Sequence, residues 1–365
     1  MKSSSTFLAV FLVGSVLGLD PVQAQTTRVW TAGTGSSDFN NTNNYDPSGA
    51  LGGSDLIFDK QTSAALAVST GVSLNTLEIR SGASGFILGG EALTISHGGV
   101  VVADMTTATF NNRLTVNTGA TQLTVNVGTG GTMVANNYVT PISRPFHKTG
   151  AGTLILAVGM GTEADNFLRN GTSIHIDEGV LEIGDAAKFE PGATLAALSV
   201  TLGTASSTAV LRGGGSFGGT ITKPVTLTTY GVNRSILEPA GDGTLEIRNL
   251  NAASGATFKF DLGTDLIFGA GTFTGSTAAS SLALDLTGGM AGVTYTLFDY
   301  GALSDVSVSD FAISNSGYVV DFWNIDTVNG LVQVQFSAVP EPSYVGIVAL
   351  ALGGLWVLRK RQLVA

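Results

Sequence analysis

Three histidines, His97, His147 and His175, are the only imidazoles in the chain, and there is no cysteine. That composition removes thiol chemistry and leaves little for a zinc-type site, which needs several convergent nitrogen or sulfur ligands. His97 sits before Gly98-Gly99 and reads as a turn residue; His147 stands beside Lys148; His175 alternates with Ile174 and Ile176 and so points off an apolar face. None has a second histidine or a carboxylate at metal-ligand spacing along the chain. The candidate carboxylates are Asp177, Glu178 and Glu182, with Asp185 nearby and Arg169 as the cation. A polysaccharide-cleaving enzyme sets carboxylates and a base along one sheet, sometimes with calcium. Here Asp177 and Glu178 precede Gly179, as at a solvated corner, and no Asp-x-Asp-x-Asp-Gly run occurs. The run Gly213 to Gly219 lacks the Gly-Lys-Ser/Thr ending of a phosphate loop and reads as a turn or link. The expectation is a protein without catalytic residues, metal or cofactor.

These groups need elements to hold them, and period-two runs supply them. Ser73 to Ile79, Ala92 to Ser96, Arg113 to Asn117, Gln122 to Val127 and Thr153 to Val158 alternate apolar with polar residues. Ser173 to Ile176, Val180 to Ile183, Val225 to Thr229, Thr244 to Arg248, Thr257 to Leu262 and Leu331 to Phe336 continue the series. Glycine-bearing turns separate them, which is the strand signature. Outside the two termini no capped helical period appears. With 49 glycines and only 12% charged residues, the exported part is read as all-β. The expected fold is a right-handed parallel β-helix-like solenoid over 25–253, with rungs of roughly 15 to 25 residues and Asn, Ser, Thr or Val ladders inside. More aromatic residues from Phe258 to Phe336 suggest a β-rich cap or small domain over 254–338.

The termini set the compartment. Lys2, an apolar stretch from Phe7 to Leu19 and the small residues of Val22-Gln23-Ala24 read as a signal peptide, 1–24, cleaved after Ala24. At the other end, Val339-Pro340-Glu341-Pro342 is a rigid hinge, because two prolines fix φ and remove donors. Tyr344 to Leu358 follows as 15 uncharged residues, about 22 Å of helix, which is short for a bilayer core of about 30 Å. Arg359, Lys360 and Arg361 can snorkel and form a cytoplasmic stop. A single C-terminal transmembrane helix is therefore expected, with everything upstream outside.

Hinge, helix and basic end, in that order over 339–365, resemble the PEP-CTERM sorting signal of exopolysaccharide-producing Gram-negative bacteria. The resemblance implies that Val339, Pro340, Glu341 and Pro342 are acted upon by an exosortase, a membrane-embedded cysteine transpeptidase, and that the helix anchors the precursor before processing. A second stretch, His147-Lys148-Thr149-Gly150-Ala151-Gly152-Thr153-Leu154, then Asn170-Gly171-Thr172-Ser173-Ile174 and Glu178-Gly179-Val180-Leu181, resembles the autotransporter-associated β-strand repeat, near 146–184. Gly241 to Ile247 keeps only its first part, and Gly159 to Arg169 departs from the usual polar arm. Trp30, Asn43, Asn44 and Tyr45, with Asp55 to Phe58, resemble the opening of such proteins and are read as a cap of aromatics over the first rung.

Charge bounds the partners. The net charge is -10, and becomes more negative once the termini are removed, which excludes nucleic acid as a partner. Without cysteine, an exported chain must rely on packing and backbone hydrogen bonds. The combined expectation is an exported structural or adhesive protein. Its precursor is membrane-anchored and faces the periplasm; the product resides at the cell surface or in an extracellular matrix, with exopolysaccharide as a partner. The competing expectation is a polysaccharide-binding or polysaccharide-cleaving β-helix enzyme.

Overall fold

The structure, a computed structural model, describes residues 25–337 except for 32–35, 61–64, 117–120, 138, 141–143, 158–172, 185–187, 190–197, 218–224, 231–233, 241–242, 277–280 and 316–318. The signal-peptide segment, Arg169, Asn170 to Thr172, Asp185 and the C-terminal hinge, helix and basic end lie outside the described residues. Among those described, no helix is long and apolar enough to cross a membrane.

The alternating runs fold as an all-β parallel solenoid. One face is an eleven-stranded sheet running from Leu66–Val68 through Thr132–Ala135, Gly179–Ile183 and Ser235–Pro239 to Phe311–Ile313. Neighbours pair in parallel register throughout. The remaining strands form two further ladders, joined into one sheet by strands that bend around a corner. In Val72–Ile79, for example, Val72 to Leu74 pair with Leu93 to Ile95. After a register shift, Thr76 to Ile79 pair with Gly99 to Val102. Leu266–Thr274 and Thr294–Ser304 do the same near the other end. The cross-section is thus three-sided.

Two expectations change here. Successive rungs place partners 21 residues apart (Thr132 and Thr153) to 31 apart (Ile267 and Phe298), so some rungs keep within the expected 15 to 25 and others exceed it. Excursions at corners lengthen a rung without disturbing its paired strands. The interior is also not built of Asn, Ser and Thr ladders. One inward column runs Leu123, Phe146, Ile174, Val200, Leu227, Leu250 and Phe273. Each such side chain contributes about 1.5–3 kcal/mol by leaving water, whereas an unpaired hydroxyl inside costs energy. Threonines instead decorate the outside, as where Thr94 and Thr115 hydrogen-bond across rungs at 2.8 Å.

His97 is likewise not in a turn. It lies within strand Leu93–Val102, exposed, where the register shift bulges the strand. Gly99 is required there, since its φ of 101° is left-handed and a Cβ would strike the Thr124 carbonyl.

Aromatics close the ends. Trp30 packs on Tyr45 at 5.2 Å and on Phe58 at 5.4 Å, and the Tyr45 hydroxyl donates to the Phe39 carbonyl at 2.8 Å. Asn44 donates to Ser36 Oγ and to the Asp38 carbonyl, so asparagines do close this turn. Parallel stacking runs through residue 253, where the composition changes, and continues to Ile313. Leu331–Ser337 then pairs antiparallel with both Thr294–Ser304 and Val319–Asp326. Phe298, touching Phe258, Phe260, Phe273 and Phe311 at ring separations of 4.7 to 6.1 Å, centres the apolar end.

Candidate functional site

Titratable groups gather at two places. On one ladder, strand Phe146–Thr149 lies between Leu123–Val127 and Ser173–Ile176. Alternation sends Phe146 and Lys148 inward, and His147 outward. Lys148 therefore occupies an aliphatic column, after Leu77, Val100 and Val125 and before Ile176 and Leu202. Its side chain is fully buried.

A buried ammonium must have acceptors. Lys148 Nζ donates to the carbonyls of Thr149 at 3.0 Å, Gly150 at 2.6 Å and Glu178 at 2.9 Å. The first two belong to the corner of its own rung and the third to the corner of the next. Gly150 makes that corner possible: its φ is 74°, and a Cβ would strike the Val127 carbonyl. Desolvation pulls the Lys148 pKa down to about 8, against the opposing attraction of Glu178 and Asp177.

Directly outside this lysine, the parallel register sets His147 beside His175, flanked by Thr124 and Thr201. The two rings stack at 4.4 Å with 14° between planes. Asp177 Oδ2 lies 2.8 Å from His147 Nδ1, and Ser173 Oγ lies 2.9 Å from His175 Nε2. Short-range spacing along the chain, which offers no metal-ligand pattern, gives no sign of this neighbourhood. Residues 28 and 30 apart become neighbours because they are one rung apart. The group is not a nucleophilic triad, which needs a single imidazole bridging hydroxyl and carboxylate. Here the hydroxyl belongs to one ring and the carboxylate to the other. Burial and the facing His147 push the His175 pKa down, with Asp177 acting in the opposite sense.

The second gathering is on the eleven-stranded face. Glu182 accepts from Arg212 at 3.0 and 2.5 Å, Arg212 pairs in register with Glu238, and Lys259 with Asp285. Charges thus alternate from rung to rung, which stabilises cross-strand neighbours modestly. Beyond Arg212 the face opens into a groove of about 420 Å³ lined by Glu238, Lys259, Asp261, Asp265, Asp285 and Thr264. Asp265 accepts from the Asp261 N–H at 2.7 Å and the Thr264 hydroxyl at 3.1 Å. Desolvation raises the Asp265 pKa; those hydrogen bonds resist, and the charges of Asp261 and Glu238 add to the rise. A carboxyl of raised pKa beside further carboxyls and a lysine is an arrangement that can bind hydroxyl-rich or basic groups, or pass a proton. Among the described residues, no three histidines or carboxylates are grouped to hold a metal ion.

Of the carboxylates singled out from the sequence, the three described do not converge. Asp177 serves His147, Glu178 offers its main-chain carbonyl to Lys148, and Glu182 pairs with Arg212 on another face. The sorting residues Val339, Pro340, Glu341 and Pro342, the stop Arg359, Lys360 and Arg361, and Ala24 lie outside the described residues. Sequence reasoning passed over Asp261, Asp265 and the histidine stack. For the stack, the available signal was a spacing equal to one rung.

The three ladders define the class of the protein: it is a parallel β-solenoid. No protein family, curated protein or solved structure matches the chain.

Proposed function

We propose that this chain is an exported structural or adhesive rod, sorted by an exosortase through Val339-Pro340-Glu341-Pro342 and placed at the cell surface or in the surrounding matrix. The observation that carries the reading is the stack of parallel ladders with polar outer columns, such as Thr124, His147, His175, Thr201 and Thr228. Repeated hydroxyls and amides at a rung spacing of about 4.8 Å suit many weak contacts with carbohydrate, whose strengths multiply when linked. The right-handed winding favoured by twisted parallel strands belongs to the same reading. So do the C-terminal cap, the membrane helix and the basic stop Arg359-Lys360-Arg361. Replacing Pro340, Glu341 and Pro342 by alanine should leave unprocessed precursor in the membrane of an exosortase-bearing host. Unchanged size and location would refute the sorting step.

The groove around Asp265 favours a second reading, a site that binds or cleaves polysaccharide. It predicts product release from an acidic or neutral polysaccharide by the purified chain, abolished in Asp265→Asn. Absence of turnover, with binding retained by that variant, returns the groove to a charge-paired surface.

A further inference from the structure

The outward histidine stack is more elaborate than a rod's surface requires. It ties two rungs together by ring contact and by the hydrogen bond between His147 and Asp177, while Ser173 holds the His175 ring from within its own strand. Among the described residues, its surroundings contain few charges. The strand on one side, Leu123–Val127, brings Gln122, Thr124 and Asn126 nearby, and the strand on the other, Leu198–Leu202, brings Ser199 and Thr201, none of them titratable. Glu182 and Arg212, on the nearby strands of the eleven-stranded face, are paired with each other. Among the described residues, what remains is Asp177 and Glu178 at the corner, Lys148 beneath the sheet, and Arg144 in the segment before strand Phe146–Thr149.

We propose that His147 and His175, with Asp177 and Ser173, form an acid-sensitive clasp between two rungs of the solenoid. One proton on the stack can be shared with the Asp177 carboxylate beside His147. A second falls on His175, whose ring contacts a hydroxyl and no anion, 4.4 Å from the first ring. Two imidazolium rings face to face repel, so the clasp holds at neutral pH and loosens in acid. The depressed His175 pKa agrees in sign. The unfolded chain binds this proton more readily, so stability falls as pH drops below the unperturbed 6.5 toward the folded value. The rod would then soften locally, at strands Phe146–Thr149 and Ser173–Ile176, when its surroundings turn acid.

Amide exchange on the full chain tests this. Between pH 7.5 and 5, after correction for intrinsic rates, opening of Ser173–Ile176 should rise several-fold relative to Leu198–Leu202. His175→Thr, which places the residue already found at Thr201 in the same column, should remove that rise. Asp177→Asn should enlarge it. Equal pH dependence in the unsubstituted chain and in His175→Thr would overturn the proposal. If the variants fail to fold, the histidine ring resonances of the unsubstituted chain decide. Two coupled titration steps support the clasp, and two independent single-site curves refute it.

Discussion

Replacing Lys148 by methionine should weaken the fold at neutral pH and weaken it more in alkali. The methionine fills most of the volume between Val125 and Ile176 but supplies no donor. Three part-buried carbonyls, of Thr149, Gly150 and Glu178, then lose their partner. At about 2 kcal/mol for each unsatisfied carbonyl, that costs about 6 kcal/mol. Removing the ammonium also relieves its desolvation. A pKa pulled from 10.5 to about 8 corresponds to roughly 3 kcal/mol of penalty on the charged form. The net loss at pH 7 is therefore about 3 kcal/mol, a large share of the 5–15 kcal/mol typical of a domain.

The pH dependence separates this account from simple mispacking. Between about 8 and 10.5 the folded chain has released the Lys148 proton while the unfolded chain still holds it. Stability of the unsubstituted chain therefore rises with pH across that window by up to about 3 kcal/mol from this one group, and the Met variant gains none. The gap between the two should widen from about 3 to about 6 kcal/mol. Denaturant unfolding of both chains at pH 7 and pH 10.5 measures it, the other titrating groups being common to both. A gap that stays constant or narrows, or a variant as stable as its parent at pH 7, would refute the reasoning.

Other perturbations have defined outcomes. Phe298→Ala, at the centre of the C-terminal aromatics, should cost about 3–5 kcal/mol in denaturant unfolding. Gly150→Val should destabilise the corner strongly, because it adds both left-handed strain and a clash with the Val127 carbonyl; soluble yield and unfolding midpoint would show it. Arg212→Ala removes a pair that is about one-third exposed and should change stability by no more than about 1 kcal/mol. Asp265 has a raised pKa, so its folded form holds a proton more tightly than the unfolded one. Stability should decline as pH rises from 3.8 through that raised value, and Asp265→Asn should flatten the decline in a pH series of thermal midpoints.

Strand positions were readable because alternation acts locally. Ser173–Ile176, Val225–Thr229 and Thr257–Leu262 occupy the residues their period-two runs indicate. The fold class followed, since many short strands between glycine corners have few ways to bury an apolar face. What alternation cannot carry is register. His147 and His175 meet because the segment between them completes one rung, and no local pattern states its length. The Asp265 groove was hidden for the same reason, its walls coming from Ser235–Pro239, Thr257–Leu262 and Leu282–Gly288. His97 was misplaced because two glycines after a histidine look alike in a turn and in a bulge; only the paired strands on either side tell them apart.

Register also explains why so much of the polar chemistry sits at one level of the rod. From His147 to Asp177, from Lys148 to Glu178 and from Glu182 to Arg212 the separation is 30 residues in each case. Each pair joins one rung to the next, on the inside, at the corner or on the outer surface. A change in rung length between Lys148 and Asp177 would break the first two together, whereas Glu182 and Arg212 fix the length of the rung that follows. Lys148 makes such a slip expensive, because its ammonium needs the Glu178 carbonyl and has no substitute for it in an aliphatic column. The lysine thus acts as a register pin between two rungs, in the way a single buried polar residue fixes alignment in other repetitive folds. Inserting one residue into the corner between Ile176 and Gly179 should consequently cost more stability than the same insertion beside Gly292, where a Cβ would meet nothing within 4 Å. Equal losses at the two sites would show that packing of the aliphatic columns alone sets the register.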